Sequence, residues 1–205
     1  MEYTKNEYIF PIEITKEVKI SYTDSPAHQG RLKCAVDFIA SIGTPIIASA
    51  EGVVVDVKHD SDKSSEDPSY DAYGNYIEIK HLHEEYSIYE HIKKDGSLVK
   101  KGDHVKTGQI IGYTGDTGWI AHLGPHLHFD VHKYFGTGSE DYETLKIKWD
   151  KKLITECPQY TMKNELNYQN LGFKSGLEIH GQLDTGKLFC RCPSIVKGEK
   201  KDFVL

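Results

Sequence analysis

The sequence predicts an all-β protein, and three observations predict it. Tyr is abundant, with 13 of 205 residues, and Gly numbers 18, a balance that favours strands and turns over long helices. Before residue 140 no segment holds a helical period over about 11 residues. Short alternating or β-branched runs recur instead, separated by Gly- and Asp-rich breaks. With 38% hydrophobic and 27% charged residues, the chain reads as globular rather than disordered.

The elements follow in order. YIFPIEI (8–14) and EVKISY (17–22) each read as a strand, and TDSPAHQGR (23–31) reads as turn. LKCAVDFIA (32–40) reads as a half-buried strand. Residues 43–60 give a strand, a Gly turn and a second strand, supported by their β-branched density. The polar, acidic segment 60–72 reads as a loop. GNYIEIKHL (74–82) and YSIYEHI (86–92) pair across a short turn near His83–Glu85. Residues 100–118 alternate turns with short strands, and HLHFDVHKY (126–134) is one more strand with period-2 alternation. Residues 141–161 are charged and weakly patterned, with one strand at ETLKIKW (143–149).

Charge and composition exclude several classes. The formal charge of −6 argues against a dedicated nucleic-acid binder, which carries a basic face. No apolar run approaches the roughly 18 residues of a membrane span. MEYTKNEYIFPIEI has neither the basic start nor the apolar run of a signal peptide. Cys34, Cys157, Cys190 and Cys192 are too few for a secreted disulfide scaffold, so this reading places the chain in the cytoplasm. Residues 162–205 carry 7 basic and 5 acidic side chains, a net of +2. The first 161 carry 25 − 7 = 18 basic and 31 − 5 = 26 acidic ones, a net of −8. The asymmetry divides the chain into a main domain at 1–150, a linker at 151–161 and a separate piece at 162–205.

The chemistry concentrates in histidines. In His126-Leu127-His128-Phe129 the two imidazoles lie at i and i+2 and project from one strand face. His28 precedes Asp37, which shares a face with Ala35, opposite Val36 and Phe38. His91 closes Ser87-Ile88-Tyr89-Glu90-His91, where alternation puts it on the face of Ser87 and Tyr89. Each feature alone is more simply a surface or carbonyl-bonded side chain. Together they offer what a catalytic zinc needs: three ligands from His and carboxylate, one position for water, and further groups to handle protons. Tyr89 and Tyr113 are candidate groove residues, although a Tyr-rich sheet uses such rings structurally. His59, His81, His83, His104, His122 and His132 are assigned to the surface, with His122 at the rim of the site. The acidic loop is a candidate border of the groove.

GTPIIASAEGVVVDV, YGNYIEIKH, YSIYEHI, VKKGDHVKTGQIIGYTGDTG and GPHLHFDV, in that order, resemble the lysostaphin-type (LytM-like) zinc endopeptidases over roughly residues 20–135. The resemblance implies a mostly antiparallel β fold with a groove, the duplicated hybrid motif. It implies hydrolysis of peptides of the peptidoglycan type, often beside Gly or D-Ala. It assigns Zn²⁺ to His28, Asp37 and His128, and leaves His91 and His126 as the catalytic, non-ligand pair. Many family members place the first His four positions before the Asp; here the spacing is nine. Family members are usually exported, in tension with the cytoplasmic reading.

GLEIHGQLDT and KLFCRCP, within 171–193, resemble the opening of the E-type subunit of the archaeal glutamyl-tRNA(Gln) amidotransferase. That resemblance singles out Glu178, His180, Cys190 and Cys192, in a fragment too short to build the active site of that enzyme. Three other readings stand beside the peptidase: a non-catalytic metal- or peptide-binding module on the same fold, an amidotransferase-related protein named for its tail, and a His-phosphorylated carrier domain.

Overall fold

The computed structural model describes residues 2–15, 17–21, 28–120, 122–138 and 141–150. The linker 151–161 and the tail, with Glu178, His180, Cys190 and Cys192, lie outside them. Among the described residues there is no α-helix, and they are all-β as the sequence predicts.

β1 (Lys19–Ser21) pairs antiparallel with β2 (Val36–Ile39), after a 3₁₀ turn at Gly30–Leu32. β3 (Pro45–Ile47) and β4 (Gly52–Lys58) follow, where β-branched residues fill the sequence. β5 (Ser64–Ser65) leads through a 3₁₀ turn at Pro68–Tyr73 to β6 (Tyr76–Lys80) and β7 (Tyr86–Glu90). β8 (Ile92–Ser97), β9 (His104–Val105), β10 (Ile110–Thr114) and β11 (Gly118–Trp119) follow. β12 (His126–Tyr134) is the longest strand and β13 (Tyr142–Thr144) the last.

The large sheet runs β1-β2-β12-β7-β6-β4-β9, with β13 also on β12. Its pairings are antiparallel. A second antiparallel sheet is β3-β10-β8, and β5 and β11 form a parallel pair. Cross-strand partners share a face, so the register sorts β12. Leu127, Phe129 and Val131 stand with Phe38, Tyr89 and Ser87 on the core face. Phe129 meets Tyr89 at 5.1 Å and Trp149 at 5.9 Å between ring centroids. Asp37, Glu90, His128 and Asp130 stand on the other face.

Four expectations need correction. YIFPIEI forms no strand: Tyr8 makes an isolated bridge to Trp149, and Pro11 lacks the N–H that a ladder would need. Its Tyr8, Phe10 and Ile12 are nonetheless buried. Residues 36–38 are buried on both faces rather than half-buried, and so is β12 from His126 to His132, despite its alternating chemistry. The acidic loop contains β5 and a 3₁₀ turn capped by Asp67, whose Oδ1 accepts from Ser69 N at 2.9 Å. The last predicted strand starts earlier, at Tyr142, and continues only as bridges at Lys146 and Trp149. No helix among the described residues is long and apolar enough to cross a membrane.

Candidate functional site

β2 and β12 run side by side, and their register sets His128 directly opposite Asp37. His28 comes from outside the sheet. The turn after it folds tightly: Leu32 N donates to Gln29 O, Ala35 N donates to Leu32 O, and Gly30 takes φ +56°. Extended, nine residues would span about 30 Å. The turn instead returns His28 to Asp37, so the wide spacing in sequence leaves no wide gap in space.

The three side chains make a nearly equilateral triangle of donor atoms. His28 Nε2 is 3.1 Å from Asp37 Oδ1 and 3.3 Å from His128 Nδ1, and the third edge is 3.1 Å. All three residues are buried. A tetrahedral ion with bonds of roughly 2.0–2.1 Å sets donor edges of about 3.3 Å, so the triangle fits one face of such a shell. Asp37 Oδ2 adds a second sign, because it is buried without a hydrogen-bond partner in the chain. Two imidazoles and a carboxylate are a donor set suited to zinc. Burial alone would raise the Asp37 carboxyl. The His128 and His28 rings beside it outweigh burial and hold it well below the usual carboxylate range.

His91 and His126 stand next to this triangle, their rings 4.4 Å apart. His126 comes from the first position of β12, and its Nε2 lies 3.9 Å from Asp37 Oδ1. His91 reaches the site by a backbone reversal. It follows the end of β7 with φ +63°, a left-handed conformation costly for a side chain with a Cβ. Continued alternation would have put its ring on the Tyr89 core face; the reversal brings it 6.1 Å from the His128 ring. The expected sharing of a face with Ser87 and Tyr89 is therefore corrected. Both rings are pinned the same way: His91 Nδ1 donates to Thr117 O at 2.7 Å, and His126 Nδ1 donates to Gly124 O at 2.8 Å. A carbonyl accepts only from a protonated nitrogen, so each neutral ring keeps its lone pair on Nε2. Burial, reinforced by the charges of His126 and His128, pushes the His91 imidazole down to about 3. Burial also lowers His126.

A groove of about 530 Å³ opens onto these residues, lined by Arg31, Pro68, Asp71, Glu90, His91, Trp119 and His128. Pro68 and Asp71 belong to the acidic loop, which does border the groove. Gly118 holds that wall together: at φ +85°, a Cβ there would lie 2.6 Å from Gly74, so β11 closes on the loop only with Gly. A larger cavity of about 850 Å³ near the N-terminal segment is mostly apolar and away from this chemistry. Tyr89 is core, its hydroxyl accepting from Ser49 N at 2.8 Å, and Tyr113 lies under Lys93; neither lines the groove. His122 is exposed and bonds Glu66.

Two histidines assigned to the surface are buried. His132 is 1% exposed and His81 is 6% exposed. Sequence reasoning also passed over Asp130 and Glu78, which meet His132. The available signal was the i+2 series His126, His128, Asp130, His132 and Tyr134 along one strand.

The profile of peptidase family M23 matches residues 31–141, a span holding Asp37, His91, His126 and His128 and starting just after His28. An uncharacterized metalloprotease of Haemophilus influenzae is 34% identical over 127 residues, 60% of this chain and 24% of that protein. Peptidoglycan DD-endopeptidase ShyC of Vibrio cholerae is 39% identical over 105 residues, 51% of this chain and 20% of that protein. The chain thus spans about a quarter of the length of these curated relatives. A crystal structure of a zinc-containing peptidase from Vibrio cholerae is 31% identical, covers 62% of this chain and 36% of its own, and has a TM-score of 0.46.

Proposed function

The chain belongs to peptidase family M23, and on that premise we propose that residues 1–150 form a zinc-dependent endopeptidase domain acting on cell-wall peptides of the peptidoglycan type. One observation carries the reading: a buried triangle of His28, Asp37 and His128 donors lies beside two imidazoles with Nε2 lone pairs. The relative of Vibrio cholerae that acts on peptidoglycan supports the substrate class.

His28 Nε2, Asp37 Oδ1 and His128 Nδ1 would hold the ion. Bound there, zinc would supply a water of lowered pKa and a Lewis acid for the scissile carbonyl. The chain's own residues do the rest. His91 and His126 present acceptors, so either ring can take the proton of the attacking water. The same Nε2, once protonated, is the donor that the departing amine requires. A donor role toward the oxyanion needs that prior protonation, because both Nδ1–H groups are engaged by Thr117 and Gly124 carbonyls. The groove wall carries both signs, Arg31 beside Asp71, while burial raises the Glu90 carboxyl.

We read residues 162–205 separately, as a segment resembling the opening of the E-type amidotransferase subunit, on the strength of GLEIHGQLDT and KLFCRCP alone.

Metal analysis by mass spectrometry tests the main reading. Wild type should carry about one zinc, and His28→Ala, Asp37→Ala and His128→Ala should each lose it. The zinc-loaded chain should then cleave Gly- or D-Ala-containing peptides. A wild type that stays metal-free after zinc addition would overturn the proposal. Retention in His28→Ala alone would remove that ligand while leaving the class intact.

A further inference from the structure

β12 carries more chemistry than the reaction uses. Beyond His128, its next residues on the same face are Asp130, His132 and Tyr134. Asp130 Oδ1 accepts from His132 Nδ1 at 2.7 Å, and His132 Nε2 lies 3.1 Å from Glu78 Oε1. Tyr134 donates its hydroxyl to the same Glu78 oxygen at 2.6 Å. His132 is thus clamped between two carboxylates, an arrangement that needs a proton on both ring nitrogens. The clamp fixes the Asp130 carboxylate and aims its second oxygen along the strand. That oxygen, Oδ2, is buried with no hydrogen-bond partner and stands 3.6 Å from His128 Nε2. The opposite nitrogen of His128, Nδ1, is the one in the donor triangle.

We infer that Asp130, clamped by His132 and Glu78, is a positioning residue that holds the proton of His128 on Nε2 and so keeps the Nδ1 lone pair on the metal site. The inference rests on His128 being a ligand, as proposed above. The physical reason is tautomeric. A neutral imidazole carries one N–H, and the partner of one nitrogen decides whether the other can ligate. At 3.6 Å the contact is an electrostatic attraction rather than a hydrogen bond, and a carboxylate there favours the tautomer with the proton on Nε2. The titratable groups around Asp130 are His128, His132, Glu90, Tyr134 and Tyr142, and among the described residues none of them donates a hydrogen bond to Oδ2.

The test measures zinc affinity by chelator competition on the full chain, with ring ¹⁵N NMR of His128 in the zinc-loaded protein. Asp130→Asn keeps the shape and replaces one acceptor oxygen with NH₂. It should bind zinc roughly 10–100-fold more weakly, the range for lost outer partners of ligating histidines, and shift the His128 Nε2–H signal. Affinity within twofold of wild type together with an unchanged Nε2–H signal would overturn the inference and leave the metal site standing. If wild type binds no zinc, or His128→Ala binds it as wild type does, the metal reading fails and this inference with it. Circular dichroism checks folding. Should Asp130→Asn not fold, His132→Gln decides, because it keeps Asp130 and removes one side of its clamp. A smaller loss of affinity in the same direction is expected there, and no loss would overturn the inference.

Discussion

Two polar clusters that contain histidine adjoin one sheet, and they differ in what they leave over. In the core cluster His81 Nδ1 donates to Glu51 O at 2.7 Å, and Nε2 meets Ser87 Oγ at 2.7 Å. Both ring nitrogens are used inside the protein. In the groove cluster Asp37 Oδ2 has no partner, and the Nε2 atoms of His91 and His126 face the site. Both clusters are buried, so burial does not separate them. Spare bonding capacity does. A buried polar group without a partner costs free energy; Asp37 Oδ2 is such a group at a site where three ligand-type donors converge.

The contrast can be broken most decisively at Asp37. Asp37→Ala should abolish zinc binding and lower peptide hydrolysis by at least about 10³-fold, since the bound water is lost with the ion. His91→Ala and His126→Ala sharpen it. Each should keep about one zinc and lose roughly 10²–10⁴-fold in kcat, the contribution of a positioned proton acceptor. Metal analysis beside single-turnover rates separates the two outcomes, and loss of zinc in either variant would merge pair and triangle into one unit.

His132 gives a pH signature of the closed kind of cluster. Burial alone would lower its imidazole; Asp130 and Glu78 outweigh burial and raise it from 6.5 to about 9. The surrounding groups are Asp130, Glu78, Tyr134, Tyr142 and Tyr86. A raised folded-state value stabilises fully below about 6.5, and the contribution is lost as pH rises through about 9. It amounts to about 3 kcal/mol. Urea melts of metal-free protein at about pH 6 and about pH 10 should show that loss, and His132→Gln should flatten it. The smallest effect belongs to the core. His81→Ala should cost about 1–3 kcal/mol of stability by removing the donor to Glu51 O and one of the two partners of Ser87 Oγ, while zinc stoichiometry and kcat stay unchanged. A fall in kcat would mean the two clusters are coupled.

The sequence announced the fold class through short β-branched runs, and the register of β2 against β12 made His128 and Asp37 neighbours as their strand faces suggested. Three things were not legible. Alternation reports chemistry rather than burial, so β12, a central strand covered on both faces, looked half-exposed. His81 was misplaced because its partners, Glu51 O and Ser87, come from elsewhere in the chain and leave no local trace, and His132 because Glu78 lies on another strand, although Asp130 two residues before it was a local signal. His91 obeyed a backbone reversal that period-2 reading cannot represent. The Pro11 segment failed as a strand for a reason visible in the sequence, the missing N–H, although its apolar side chains still enter the core.

The turn between His28 and Asp37 has a further consequence. The 3₁₀ turn at Gly30–Leu32 delivers one corner of the triangle, while the sheet delivers the other two. The number of residues between those corners is therefore not part of the site's geometry. Doubling a flexible loop costs only about 0.6 kcal/mol in closure entropy. Chain length can drift at this one place with little effect on the donor triangle, whereas a single inserted residue in β12 would turn His128 to the opposite face. The site is tolerant along one approach and unforgiving along the other.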